Sequence, residues 1–128
     1  MLPDWPERTI AVLSTAGPHA IPVSTATRSG DTTVHLALAH RRDSLARLRE
    51  QPRCCLTLHA PGVTCTAHGT ASVVGEDDRV AFVRLDVEAV QDHNRPAFEI
   101  EDGVRWRWTD PEAERADAGV RAALRRLG

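Results

Sequence analysis

T-T-V-H-L-A-L-A-H-R-R-D-S-L-A-R-L-R-E-Q-P-R-C-C-L-T-L, residues Thr32 to Leu58, is the stretch around which the chain is organised. It begins with strict alternation: Val34, Leu36 and Leu38 fall on one face and Thr33, His35 and Ala37 on the other, the period of a half-buried strand. The pattern then changes. Asp43 is a candidate N-cap, Leu45 and Leu48 form an apolar i,i+3 pair, and Pro52 stops the turn before a second strand begins at Arg53. Arg41 and Arg42 stand at the start of this short helix and Arg47 one turn in, where the helix dipole disfavours cations. An anion docked there would satisfy the free N–H groups, the dipole and the guanidinium groups together. A solvated basic turn is the competing reading of the same residues.

The 128 residues suit a single domain, 1–128, large enough for a real core. Net charge is −2 with acids and bases interspersed, which argues against nucleic acid or an anionic membrane as a partner. No apolar run approaches the ~20 residues of a membrane span and no signal-peptide core is visible, so the expected compartment is the cytoplasm. Cys54, Cys55 and Cys65 have neither disulfide parity nor zinc spacing and read as buried thiols. All 16 basic residues are arginine, so chemistry that requires a lysine, such as a Schiff base, is excluded.

Outward from the central stretch, Arg8–Thr15 and Ala20–Arg28 read as strands around an Ala16-Gly17-Pro18-His19 turn, and Pro22 puts the second at an edge or bulge. Residues 1–7, with two prolines, form an arm or packed lead-in. Arg53–His59 and Val63–Gly75 are further strands, the latter with Gly69 marking a bulge or close backbone approach. In Val80–Val90, Val83, Leu85, Val87 and Ala89 alternate with Arg84, Asp86 and Glu88. Ala97–Ile100 and Val104–Trp108 read as a last hairpin around Asp102-Gly103. Asp110 caps a final helix with Pro111 at N1 and an apolar stripe of Ala113, Ala116, Val120, Leu124 and Leu127. The predicted fold class is mainly β (α+β): a barrel of six to seven antiparallel strands with a short internal helix and a C-terminal helix.

Four pieces of this order resemble one family. They are the opening T-I-A-V-L-S-T-A-G-P-H-A-I-P-V-S, the central R-R-D-S-L-A-R-L-R-E-Q-P-R-C-C-L-T-L, the strand A-H-G-T-A-S-V-V and the tail D-G-V-R-W-R-W-T-D-P-E-A. Together they resemble the pyridoxamine 5′-phosphate oxidase-like, FMN-binding split-barrel family, including its actinobacterial FMN- and F420-dependent members. The resemblance implies a homodimeric split barrel with a flavin at the subunit interface. It places the flavin phosphate near Arg42 and Ser44, with Arg41 and Arg47 beside them. Pro22, Val23 and Ser24 would border the ring, Leu38 and His40 would close the third strand, and Trp106 could stack on the flavin across the interface. Ser44 occupies the family's phosphate-binding Lys position, so arginine would have to supply that charge.

The implied activity is a flavin- or deazaflavin-dependent oxidoreductase acting on a small-molecule substrate. The alternatives are a non-catalytic carrier of flavin, F420 or haem on the same fold, and a cofactor-free interaction domain. No carboxylate pair is spaced for acid–base work, which suits chemistry carried by a cofactor. His35, His59 and His68 sit on separate strands and could form a metal or haem site only if folding brought them together.

Overall fold

A computed structural model describes residues 1–128. Seven strands, β1 (Ala11–Thr15), β2 (His19–Val23), β3 (Thr27–Arg28), β4 (Thr33–Ala39), β5 (Arg53–Ala60), β6 (Val63–Glu76) and β7 (Val80–Asp92), join helices α1 (Asp43–Glu50) and α2 (Pro111–Leu127). All strand pairings are antiparallel, in the order β2-β1-β5-β6-β7-β4-β3. The two outermost strands, β2 and β3, are consecutive in sequence. Only Ser24, Thr25 and Ala26 separate them. From Val23 to Thr27 the chain reaches about 14 Å at full extension, so the sheet has to curl until its edges nearly meet. The result is a split barrel, with a seam where β2 faces β3 and β4.

The interior is filled by the inward-facing residues of every long strand, among them Ala11, Leu13, Leu36, Leu38, Leu56, Leu58, Val83 and Leu85. The alternation read in residues 33–39 and 80–90 is the alternation observed, except that Ala89 is exposed on the apolar face and His35 is buried on the other. α1 closes one end of the barrel with Leu45 and Leu48. The lead-in is packed rather than loose: Leu2 is buried, and Trp5 Nε1 donates to the Ala26 carbonyl at 3.0 Å. Gly69 sits at a register shift between β6 and β7, so close to the Asp86 carbonyl that a Cβ would collide with it.

Four details differ from the sequence reading. The segment Ala20–Arg28 is not one strand: it breaks at Ser24 to cross the seam, leaving Pro22 on an edge strand as its missing N–H requires. The N-cap of α1 is Arg42, with no side-chain cap, and Asp43 is already helical. The hairpin expected around Asp102-Gly103 does not form; residues 93–110 contain no strand and run along the surface, with Ile100 accepting from Gly62 N–H at 2.8 Å. Gly103 lies against the His59 carbonyl, where a Cβ would clash, so the glycine serves that approach rather than a type I′ turn. On α2 the packed face is Ala113, Asp117, Val120, Arg121 and Leu124, while Ala116 and Leu127 are exposed. A buried arginine therefore takes part in the face that an apolar stripe was expected to fill.

His35 faces outward from β4, yet is only 4 % exposed, and its Nδ1 has no hydrogen-bond partner. Burial, aided by the Arg84 guanidinium and opposed by Asp86, lowers its pKa from the ordinary 6.5. As pH falls below that value the unfolded chain takes the proton first, so folding loses stability until the folded pKa is passed. His35→Leu should therefore show a smaller fall in urea midpoint than the parent between about pH 7.5 and about pH 5.5. Equal falls in the two proteins would contradict this assignment.

Candidate functional site

The seam opens into a cavity of about 280 Å³ lined by Ile10, Pro22, Val23, Ser24, Thr25, Ala37, Leu38, Ala39 and Arg42. Folding thus brings Pro22, Val23, Ser24, Leu38 and Arg42, five of the residues singled out from the sequence, to one place. Ile10, Val23, Ala37, Leu38 and Ala39 give it an apolar part, and Ser24, Thr25 and Arg42 a polar one. Arg42 is the only ionisable residue in the lining, and its guanidinium forms no ion pair or hydrogen bond within the chain. It is exposed at the N-terminus of α1, beside the free N–H groups of the first helical turn. Arg41, next to it, is exposed as well.

The backbone at the crossing supplies the other polar groups. The Thr25 hydroxyl accepts from Ala37 N–H at 3.0 Å, standing in for the strand partner that β4 lacks at this point. The N–H groups of Ser24 and Thr25 find no acceptor within the chain. A partly apolar slot whose lining includes the unengaged Ser24–Thr25 backbone and a free guanidinium can take a flat, hydrogen-bonding ligand that carries an anionic group. Its volume sits just under the ~300–1,000 Å³ usual for small-molecule sites.

The remaining expected residues lie elsewhere. Ser44 is fully buried, and its Oγ is 3.1 Å from His19 Nε2, tying α1 to the β1–β2 hairpin. Arg47 Nη1 donates to the Ala16 carbonyl at 2.9 Å, and the guanidinium lies so close to Gly17 that a Cβ there would strike it. With φ +124° Gly17 also occupies a backbone region closed to other residues. Ser44 and Arg47 are thus braces for the hairpin, turned away from the cavity. His40 is turned toward the β6–β7 turn, with Nε2 2.6 Å from the Asp77 carbonyl and Nδ1 3.8 Å from Glu76.

Trp106 does not line the seam. Its ring meets Trp108 edge-to-face at 5.2 Å, the Arg8 guanidinium lies over it at 4.1 Å, and its Nε1 donates to the Arg8 carbonyl at 2.9 Å. It belongs to a separate cavity of about 300 Å³ that includes Arg8, His59 and Gly103. His35, His59 and His68 stay apart: His35 is buried on β4, His68 pairs with Gln91 at 2.7 Å, and His59 is exposed on β5. Burial, with Cys55 adding to it and Arg53 opposing, pushes the Cys54 thiol up to about 11, and burial raises Cys65 as well. Neither thiol has the low pKa of a nucleophile.

Sequence reasoning missed Ile10, Thr25, Ala37 and Ala39. They are small or ordinary residues that line the cavity through the curl of the sheet, and no motif marks them.

No protein-family model and no curated protein matches the chain. Solved structures do. The styrene monooxygenase flavin reductase of Pseudomonas putida S12 superposes with a TM-score of 0.58 at 17% identity, covering 79% of this chain and 93% of its own. A protein of the pyridoxinephosphate oxidase family from Clostridium acetobutylicum, related to general stress protein 26 of B. subtilis, gives 0.55 at 13%, with 66% and 80% covered. An FAD-binding protein from Mesorhizobium loti gives 0.54 at 12%, with 64% and 81% covered. The chain has the split-barrel fold of these proteins. At such identities the likeness is one of fold.

The roles of Arg47 and Arg42 separate in a stability measurement. Arg47→Met removes a charged donor from the Ala16 turn and should lower stability by about 1 kcal/mol in urea unfolding. Arg42→Met, with no internal partner to lose, should stay within about 0.5 kcal/mol of the parent. A reversed order would contradict the assignment of Arg47 as a brace.

Proposed function

We propose that the protein binds a flavin, FMN in the first instance, in the seam, and acts as a flavin-dependent oxidoreductase on a small-molecule substrate. One observation carries the reading: Ser24 and Thr25, whose amides have no acceptor within the chain, line the same cavity as the uncommitted Arg42 guanidinium. The slot suits a planar ring edged with hydrogen-bonding atoms, and Arg42 with Arg41 suits a phosphate at the helix start. Ser44 is unavailable to that phosphate because its hydroxyl is fully buried beside His19. The arginines therefore carry the charge that a lysine carries in the family's motif. The flavin reductase and FAD-binding protein that share this fold support the choice of ligand class.

The cavity lining contains no Asp, Glu, His or Cys. A bound flavin supplies hydride chemistry of its own, so the chain's residues are left with binding, orientation and exclusion of water. Val23, Leu38 and Ile10 would keep the slot dry, and the Ser24–Thr25 amides would fix the ring edge.

The reading includes a homodimer. The outward positions of β1, β2 and mid-β5 are Val12, Ser14, Ala20, Pro22, Cys55 and Thr57, an uncharged face on a chain that is 27% charged. A second copy packed there by two-fold symmetry would deepen the seam cavity beyond what one subunit provides. F420, which also joins a flat ring to anionic groups, is the closest rival ligand. A non-catalytic carrier is the second functional reading, favoured by the absence of lysine from the phosphate-binding position, where Ser44 stands.

Titration with FMN, followed by flavin fluorescence, tests the site. The double variant Arg41→Ala, Arg42→Ala should weaken FMN affinity by about 100-fold, roughly 1–2 kcal/mol per lost charged contact, with the oligomeric state unchanged on gel filtration. Unchanged affinity would overturn the phosphate assignment. Retention of F420 or haemin in place of FMN would overturn the choice of ligand.

A further inference from the structure

α2 lies across the outside of the barrel, against β4, and its most buried polar residue is Arg121, 6 % exposed. Arg121 Nε donates to Asp117 Oδ2 at 2.7 Å, one helical turn back, and both side chains are nearly inaccessible. The pair does more than satisfy itself. Arg121 Nη2 donates to the Ser24 carbonyl at 2.8 Å, a contact between residues 97 positions apart in sequence. Ser24 is where the chain leaves β2 to cross the seam.

That carbonyl belongs to the Ser24–Thr25 peptide. In a trans peptide the C=O and the following N–H point in opposite directions, so a carbonyl drawn toward α2 turns the Thr25 N–H away from the helix. On its other side the peptide is tied down by the Thr25 hydroxyl, which accepts from Ala37 N–H on β4. The crossing has no ladder partner of its own, and Ser24 and Thr25 both line the seam cavity. Without Arg121, the orientation of the amide facing the cavity would be held from one side only. Asp117, fixed one turn away, removes the rotamer freedom that would otherwise let the guanidinium leave the carbonyl.

From this geometry we infer that Arg121, held by Asp117, is a positioning residue: it fixes the Ser24–Thr25 peptide from outside the barrel so that its amide is set for ligand binding in the seam. The inference rests on the flavin reading for the identity of the ligand, but not for the orientation of the peptide. It also gives α2 a role that the barrel alone does not require, since the sheet buries its core without the helix.

Two measurements test it. The first is amide exchange on the ligand-free protein, comparing Arg121→Met with Leu124→Ala, which loosens the same helix but keeps the guanidinium. Ala37 N–H, bonded to the Thr25 hydroxyl, is the reporter, with Val34 in the same strand as reference. Exchange at Ala37 relative to Val34 should rise by about tenfold in Arg121→Met and stay near the parent ratio in Leu124→Ala. Equal ratios in the two variants would overturn the inference.

The second measurement is FMN affinity. It should weaken about tenfold in Arg121→Met, recover in large part in Arg121→Lys, which keeps a donor for the carbonyl, and be unaffected by Leu124→Ala. A parent protein that binds FMN and an Arg121→Met variant that binds it equally well would overturn the positioning role. A parent that binds no FMN defeats the flavin reading instead, and the Ala37 exchange ratio then decides the role of Arg121 by itself. Should Arg121→Met fail to fold, Asp117→Asn, which keeps the guanidinium and weakens its anchor, is expected to shift both readings in the same direction.

Discussion

The short crossing from β2 to β3 is the constraint on which the rest of this structure depends. These strands are the two edges of one seven-stranded sheet, yet Ser24, Thr25 and Ala26 are all the chain between them. A flat sheet would set its edges far apart, since neighbouring strands are ~4.8 Å from one another. Curling is therefore imposed by connectivity, and the alternating apolar residues of β1, β4, β5, β6 and β7 fill the space it encloses. Two edges brought together in this way do not pair along their length, and the unpaired part is the seam cavity.

The same crossing explains where polar groups are available. Elsewhere the strands satisfy one another. At the seam, β4 takes a hydroxyl from Thr25 in place of a strand, and the amides of Ser24 and Thr25 are left without an acceptor. The helix α1 follows directly from β4 and opens on two arginines with no internal partner. Of its other cations, Arg49 lies 3.9 Å from Glu76, while Arg47 and the buried Ser44 are committed to the β1–β2 hairpin, which forms the opposite wall. The charge around α1 is thus divided between holding the hairpin in place and facing the cavity. On the outside, Arg121 reaches the same crossing from α2.

Much of this was legible in the sequence where periodicity is strong. Residues 33–39 and 80–90 alternate cleanly because one face of each strand is buried, and Asp110-Pro111 marks the start of α2 through its cap and fixed φ. Pro22 signals an edge for a local reason that tertiary structure respects. The failures have physical causes of another kind. Asp102-Gly103 has the composition of a tight turn, but Gly103 is spent on a close approach to His59, a contact between distant residues. Ser44 and Arg42 are two positions apart in one motif, and the turn of the helix sends one inward and leaves the other at the mouth of the cavity. Asp117 and Arg121 show the i,i+4 spacing of an ordinary surface pair. Nothing in their neighbourhood reveals that α2 buries them over Ser24.

The seam is the proposed place of ligand chemistry. The most direct test is a ¹⁵N-resolved NMR titration of the protein with FMN. Binding in the seam should place the largest amide shifts on Ser24, Thr25 and the run from Ala37 to Arg42, with the Arg8–Trp106 region unmoved. Shifts concentrated around Trp106 and His59 would place the ligand in the Arg8–Trp106 cavity instead and rule out the seam, and a spectrum without shifts at saturating FMN would rule out flavin binding altogether.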